Sequence, residues 1–182
     1  MNKTLVILVL SAFIMPNSVD AQQYVTREGY VRFFSTTPIE DIEAENHQTT
    51  ALLTEDGAFA FRVPILGFRF EKALMEEHFN ENYLESHTHP NGSFEGTIDG
   101  FTAPLKDGQP HEVVAKGTLN IHGVMQEREI PSLIRWNGTG WEIESTFDVA
   151  PAEHDIAIPK VVRNKIAPSI EVTVTANLLP RS

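Results

Sequence analysis

Two histidines in the stretch SHTHPNGSFEG, His87 and His89, have the residue type and spacing that could bind a metal ion. If this stretch is extended, both imidazoles lie on one face, because side chains alternate along a β-strand. Metal catalysis needs about three converging ligands and an open coordination position. Glu95 follows, but further along the chain than a third ligand is expected for such a pair. A metal-dependent enzyme that uses His87 and His89 is therefore one alternative.

The same stretch also has the composition of a bend between two structural elements. Pro90 cannot continue a helix, and Asn91-Gly92 favours a turn. The other histidines offer no clearer chemistry, because His122 lacks a recognisable nucleophile partner and the neighbours His154-Asp155 would face opposite sides of a strand. The sequence has neither a Gly-x-Ser-x-Gly elbow nor a glycine-rich phosphate loop. We predict a protein that is not an enzyme, with no catalytic residue, no metal and no cofactor.

The composition restricts the partners of the protein. The chain has 182 residues, of which 41% are hydrophobic and 21% charged, as in ordinary globular domains. Its formal net charge is −11, which argues against nucleic acid and against electrostatic docking on anionic lipid. It contains no cysteine, so disulfides, thiolate ligands and lipid attachment to a cysteine are excluded.

The N-terminus resembles an export signal. Lys3 precedes an apolar run from Leu5 to Met15, and Val19-Asp20-Ala21 fits the residues before a cleavage site. The run is too short to span a bilayer, so we expect no stable membrane insertion. We predict a signal peptide over residues 1–21, one domain over residues 22–182 and a periplasmic location.

Most of the secondary structure predicted from the sequence is β-strand. Apolar residues alternate with polar ones in AFAFRVPI, SFEGTI, VVAKGTLNIHG, WEIESTFDV and IEVTVTANL, which is typical of an antiparallel sheet with one wet face. Dipeptides that favour positive φ mark the expected turns: Asp56-Gly57, Asn91-Gly92, Asp99-Gly100, Asp107-Gly108 and Asn137-Gly138. The pattern predicts an all-β barrel or sandwich.

One segment departs from this alternation. In EKALMEEHFNENYL, Met75, Phe79 and Tyr83 recur every four residues, with Leu74 and His78 alongside. This spacing predicts one short helix over about residues 71–84, between two strands.

The phenylalanine content raises the question of what fills the barrel. Eleven Phe against three Tyr is a skew toward rings without a polar tip. A barrel of about eight strands is either packed shut or holds one small ligand, and an apolar lumen would suit a lipid chain. Periodicity alone leaves a closed lumen, with function on the outer surface, as a further alternative.

Several segments occur in the order that is typical of the YceI-like family. They are GYVRFFSTTPIEDIEA, FAFRVPILGFRFEKALMEEHFNENYLES, HPNGSFEGTI, GTLNIHGVMQEREIP and EHDIAIPKVVRNKIAPSIEVTVTANL. The resemblance implies an exported, lipocalin-like antiparallel β-barrel of about eight strands that binds a polyisoprenoid or fatty-acid-like lipid for transport or storage. Some members of the family are dimers, so a homodimer is an open alternative.

The resemblance gives no ligand residues by motif. In this family a Tyr-Pro or similar pair stands where this chain has His89-Pro90, so a histidine pair is not a family signature. We therefore nominate inward-facing apolar positions as ligand-binding residues: Phe61, Phe68, Phe70, Phe79, Phe94, Leu119, Ile121, Trp141 and Phe147.

Overall fold

The structure is a computed structural model and describes residues 22–101 and 105–181. The predicted signal peptide, residues 1–21, lies outside the described residues. The described part holds nine β-strands: β1 (Gln23–Thr36), β2 (Asp41–Thr54), β3 (Ala58–Pro64), β4 (Arg69–Phe70), β5 (Asn91–Asp99), β6 (Pro110–Ile121), β7 (Val124–Trp136), β8 (Trp141–Val149) and β9 (Ile170–Pro180).

Eight of these strands form a closed antiparallel barrel. They are hydrogen-bonded in the order β1-β9-β8-β7-β6-β5-β3-β2, and β1 pairs with β2 to close the ring. The two-residue strand β4 pairs with Ala44 and Glu45 of β2, beyond the stretch of β2 that pairs with β3. The all-β, lipocalin-like barrel of about eight strands predicted from the sequence is confirmed.

The alternation read from the sequence matches the barrel walls. On β8, Trp141, Ile143 and Val149 are buried, while Glu144 and Asp148 are exposed. The same inward face recurs on β6 and β9. Period-two patterning therefore identified which side chains reach the interior.

The predicted helix is present, and it changes type along its length. Helix α1 covers Ala73–His78, and a π-helical turn continues it over Phe79–Tyr83. The amide of Leu84 donates to the carbonyl oxygen of Phe79 at 2.9 Å, which is the wider π-type spacing. We call the segment Ala73–Tyr83 the helical cover. Two 3₁₀ turns, Ile65–Gly67 and Pro151–His154, complete the regular elements of the described residues.

One predicted turn is wrong. Glycines 57, 100, 108 and 138 have the expected positive φ, but Asn91-Gly92 instead begins β5. The chain has already reversed direction in the preceding turn, where the amides of Thr88 and His89 both donate to the carbonyl oxygen of Glu85. The bend is therefore completed before Pro90 is reached.

Candidate functional site

The interior of the barrel contains a cavity of about 540 Å³. This volume lies within the range of small-molecule pockets. Aliphatic and phenyl side chains from the barrel strands and the helical cover form most of its wall. The lumen is therefore not packed shut, and its lining suits an apolar ligand.

Eight of the nine residues nominated from the sequence lie in this wall. They are Phe61, Phe68, Phe70, Phe79, Phe94, Leu119, Ile121 and Phe147. The barrel brings them together because each is on the inward face of its strand, or on the cover or the β4 segment that closes one end. Whether each contacts a ligand stays a prediction.

Trp141 does not line the cavity. It is 1% exposed and packs edge-on against Trp136 and Tyr24, with ring centroids 5.1 and 6.4 Å away. Phe101 adds a fourth ring, 5.0 Å from Trp141. These rings fill one end of the barrel. The sequence pattern placed Trp141 correctly on the inward face, but periodicity carries no information on depth along the barrel axis.

The opposite end is covered by the helical segment. Its apolar residues Leu74, Met75, Phe79 and Tyr83 line the cavity, as the helical spacing implied. Phe79 is central, because its ring lies 5.4 Å from that of Phe33 on β1 and 5.1 Å from that of Phe70 on β4. The cover is therefore held by ring packing, together with a salt bridge of 3.1 Å between Glu76 on the cover and Arg69 on β4.

Three serines in the wall have hydrogen-bond partners within the protein. The hydroxyls of Ser132 and Ser145 hydrogen-bond to each other at 2.6 Å across β7 and β8. The Ser35 hydroxyl accepts a hydrogen bond of 2.9 Å from the Ala167 amide. A ligand therefore need not form hydrogen bonds with these hydroxyls, because the protein already supplies their partners.

Charged residues occur at the rim of the cavity. Lys72, Glu40 and Lys165 line it, with the two ammonium groups 3.2 and 3.6 Å from the two carboxylate oxygens of Glu40. The hydrogen bond from Lys72, together with the charges of both lysines, lowers the pKa of Glu40. The rim thus carries two positive charges against one negative charge, in a protein whose net charge is strongly negative.

Both lysines are about half exposed, as is Leu74 on the cover. Cavity-lining residues that are also exposed to solvent mark the place where the cavity opens. The opening therefore lies between the cover and the segment that precedes β9.

Sequence reasoning missed part of this wall and its rim. Phe33, which was not among the nominated residues, contacts the cover and lines the cavity. Its strand has register irregularities between Thr26 and Val31, which interrupt the simple alternation. Glu40 lies in the turn before β2, where no periodic pattern points to the barrel mouth.

The histidine pair proposed from the sequence is not formed. Residues 86–88 lie in a turn, so His87 and His89 do not share the face of a strand. His87 is exposed, whereas His89 is partly buried and packs against His122, with ring centroids 4.6 Å apart. The metal-dependent alternative that used His87 with His89 therefore lacks its geometric basis.

His154, another histidine considered for acid–base chemistry, is buried in the fold and bonds to the backbone. It is fully buried, and its Nδ1 lies 3.3 Å from the carbonyl oxygen of Val124, to which it donates. Its neighbour Asp155 has a left-handed backbone and ends the 3₁₀ turn. The sequence analysis dismissed this pair as a dyad, and the two residues occupy different structural roles.

Comparisons with known proteins identify relatives of this architecture. The family model described as "YceI-like domain" matches residues 23–178. No curated protein sequence matches the chain significantly.

Within the described residues, none of the helical segments has the length and hydrophobicity needed to cross a membrane.

Solved structures share the fold at low sequence identity. A polyisoprenoid-binding domain from Saccharophagus degradans, implicated in plant cell wall breakdown, superposes with a TM-score of 0.78 at 13% identity, covering 88% of this chain and 99% of that domain. BcnA of Burkholderia cenocepacia gives 0.69 at 12% identity, with 82% and 95% covered. The YceI protein of Campylobacter jejuni gives 0.55 at 10% identity, with 100% and 99% covered.

Proposed function

The chain belongs to the YceI-like family, and on this basis we propose that it is a binding protein that holds an apolar lipid chain inside its barrel. A polyisoprenoid or a fatty-acid-like chain fits the proposal. One structural neighbour is described as a polyisoprenoid-binding domain, which supports the same ligand class for this chain. The nine nominated residues, except Trp141, are the proposed contacts.

The observation that carries this proposal is the open, apolar lumen. Its wall is dominated by hydrocarbon side chains, and Ser35, Ser132 and Ser145 in it are already hydrogen-bonded. Each CH₂ group removed from water contributes about 0.8 kcal/mol, so ten buried carbons contribute about 8 kcal/mol before ordering costs. An apolar chain can therefore bind without a specific polar anchor inside the barrel.

The polar end of such a ligand would lie at the rim. Lys72 and Lys165 flank the opening, and Glu40 neutralises only one of their two charges. A carboxylate or phosphate at the end of the chain would meet a local positive charge there. The proposed ligand is thus an amphiphile with its chain in the lumen and an anionic head at the mouth.

We propose a role in transport or storage of the lipid rather than catalysis. The two alternatives derived from the sequence are less favoured, because the cavity argues against a closed lumen and because His87 and His89 lie in and after a turn rather than on one strand face. We also propose export to the periplasm, which is supported by the pattern of residues 1–21. Sequencing of the N-terminus of the protein recovered from the periplasm should give Gln22 as the first residue, and an intact Met1 would contradict export with cleavage.

The binding function is tested by extraction of the purified protein with organic solvent, followed by mass spectrometry. We expect an apolar lipid in near-stoichiometric amount. If the extract is empty, the delipidated protein is titrated with a fluorescent fatty acid and with a short polyprenol. An empty extract together with the absence of saturable binding would overturn the proposal.

A further inference from the structure

A cluster of possible metal ligands lies outside the wall of the cavity. One ligand atom each from Glu85, His89 and His122 can be chosen so that all lie within 4.8 Å of one another. The three residues come from two separate segments, the turn after the helical cover and the turn between β6 and β7. Their convergence is therefore a product of the fold rather than of sequence proximity.

The first segment brings Glu85 and His89 to one side. The His89 amide donates to the Glu85 carbonyl oxygen at 2.9 Å, which closes one helical turn between them. Residues four apart in such a turn are neighbours on its surface. Glu85 has a φ of 43°, a left-handed conformation that is uncommon for this residue type. Thus the backbone places the carboxylate and the imidazole beside each other.

The second segment brings His122 to meet them. His122 and Gly123 form the two-residue connection between β6 and β7, with φ values of 54° and 77°. Positive φ at both positions is typical of a type I′ hairpin turn. A Cβ atom at position 123 would lie 2.7 Å from an atom of the His89 ring, so glycine also leaves the space that this ring occupies.

The hydrogen bonds of His122 determine which of its nitrogens faces the cluster. Nδ1 lies 3.1 Å from the carbonyl oxygen of His154, and because a carbonyl oxygen only accepts, Nδ1 carries the hydrogen. Nε2 faces Glu85, with 3.0 Å between Nε2 and Oε2. A backbone carbonyl that holds the remote ring nitrogen of histidine is the usual support of a metal-ligating imidazole.

The two facing atoms can serve as ligands of one ion. With the hydrogen on Nδ1, Nε2 of His122 has a lone pair directed toward Oε2 of Glu85, 3.0 Å away, and that oxygen has lone pairs of its own. His89, packed against the His122 ring, adds a second imidazole on the same side.

From this geometry we propose that Glu85, His89 and His122 bind a divalent transition-metal ion, with Zn²⁺ as the reference ion. Two imidazoles and one carboxylate are a ligand set that suits Zn²⁺, and a fourth position remains for water. The ligands are close to the required separation, so small side-chain rotations bring them into contact with one ion.

The bound ion would join two parts of the barrel mouth. Leu84 and Ile121, the residues before Glu85 and His122, both line the cavity and pack in one apolar cluster with Ile65 and Ile156. An ion at this site therefore links the end of the helical cover to the β6–β7 turn. This inference does not depend on lipid binding, and the two are tested separately.

The test uses delipidated protein without a histidine tag, treated with a chelator and then titrated with ZnCl₂ by calorimetry. We expect one Zn²⁺ per chain, and a rise of the unfolding midpoint by roughly 5–10 °C at a hundred-fold excess of free Zn²⁺ over Kd. Substitution with Co²⁺ should give visible absorption bands of a site with fewer than six ligands.

Three variants and one control identify the ligands. His122→Asn retains a residue that suits the hairpin turn, and with His89→Ala and Glu85→Gln it should weaken Zn²⁺ binding by at least about ten-fold. His87→Ala, the matched control, should bind as the parent protein does. The proposal is overturned if the parent protein binds no stoichiometric Zn²⁺, if the three variants bind as the parent does, or if His87→Ala weakens binding as strongly as His89→Ala.

Discussion

The ring of Phe79 on the helical cover stacks on the ring of Phe33 on β1, with centroids 5.4 Å apart and an angle of 25° between the planes. This contact joins the cover to the barrel wall at the mouth of the cavity. Phe68 and Phe70 complete the ring cluster, at 5.5 and 5.1 Å from Phe79. These rings line the cavity where the cover meets the barrel wall, so we expect them to affect the entry and exit of a ligand.

Phe79→Ala should accelerate ligand exchange. The change removes three aromatic pairs, each worth about 0.5–1.5 kcal/mol, so release should be about ten-fold faster or more. Since Phe79 is only partly buried, the loss of stability should stay below the roughly 3–5 kcal/mol of a fully buried Phe→Ala change. Release of a fluorescent fatty acid, followed by stopped flow, measures the rate.

The matched control for this prediction is Phe34→Ala. Phe34 is also half-buried on β1, but it lies outside the cavity wall, beneath the guanidinium of Arg32. Its substitution should leave the release rate unchanged. Equal release rates for the Phe79 variant and the parent protein would show that the cover does not limit exchange.

The rim residues should govern the preference for an anionic head group. Lys72→Met and Lys165→Met should each weaken binding of a fatty acid by up to about five-fold, because exposed charge pairs contribute about 0.2–1 kcal/mol. Glu40→Gln should have the opposite effect, since it removes the internal partner of both lysines. Titration at constant ionic strength gives these affinities.

The fatty alcohol of the same chain length is the control ligand, because it has no charge. Its affinity should change little in all three variants, and Lys116→Met on the outer wall should affect neither ligand. Equal weakening of acid and alcohol would show that the lysines act on the shape of the mouth and not through charge.

Tyr30 should affect stability at alkaline pH. Its burial, and next its hydrogen bond of 2.8 Å to Glu45, raise the pKa of Tyr30 from 10.0 to about 12. The folded state therefore retains the phenol proton that the unfolded chain loses above pH 10. Its contribution to stability is complete below pH 10 and disappears as the pH rises toward 12.

In Tyr30→Phe this part of the pH dependence should be absent. Urea unfolding midpoints between pH 9 and pH 12 should fall less steeply in the variant than in the parent protein. Glu45→Gln should give an intermediate slope, because the burial of the phenol remains. Parallel curves for the parent protein and Tyr30→Phe would refute the raised pKa.

The sequence predicted side-chain direction correctly wherever the periodicity of a single strand or helix determines it. On β6, Leu119 and Ile121 alternate with polar neighbours, so their inward direction followed from the pleat of the strand. The four-residue spacing of Met75, Phe79 and Tyr83 predicted the helix. No comparable sequence pattern predicts the change to a π-helical turn after His78. Local periodicity determines direction but not depth, which is why Trp141 was assigned to the cavity.

Contacts between distant segments could not be derived in this way. His89 and His122 meet because β5 and β6 pair with Ser93 opposite Asn120, which brings the start of β5 level with the end of β6. That register depends on the pairing of whole strands, and no short motif encodes it. Likewise, the buried Asn46 on β2 bonds to the Pro64 carbonyl oxygen, and a polar residue at an inward position breaks the pattern that periodicity relies on.

A larger side chain placed in the lumen tests whether the lumen holds a lipid chain. Leu119 is 6% exposed and lines the cavity on β6, whereas Leu133 on β7 is 42% exposed on the outer wall. Leu119→Trp adds volume to the lumen, and Leu133→Trp is the same change outside it. Both proteins are compared with the parent protein in bound lipid per chain and in free energy of unfolding.

We expect Leu119→Trp to lose most of its bound lipid but less than about 1 kcal/mol of stability, because an open cavity accepts the added ring. Overpacking of a filled core would instead cost roughly 1–3 kcal/mol. Leu133→Trp should match the parent protein in both measurements. The claim is contradicted if Leu119→Trp binds as much lipid as the parent protein, or if its unfolding free energy falls by the full cost of overpacking while neither protein carries lipid.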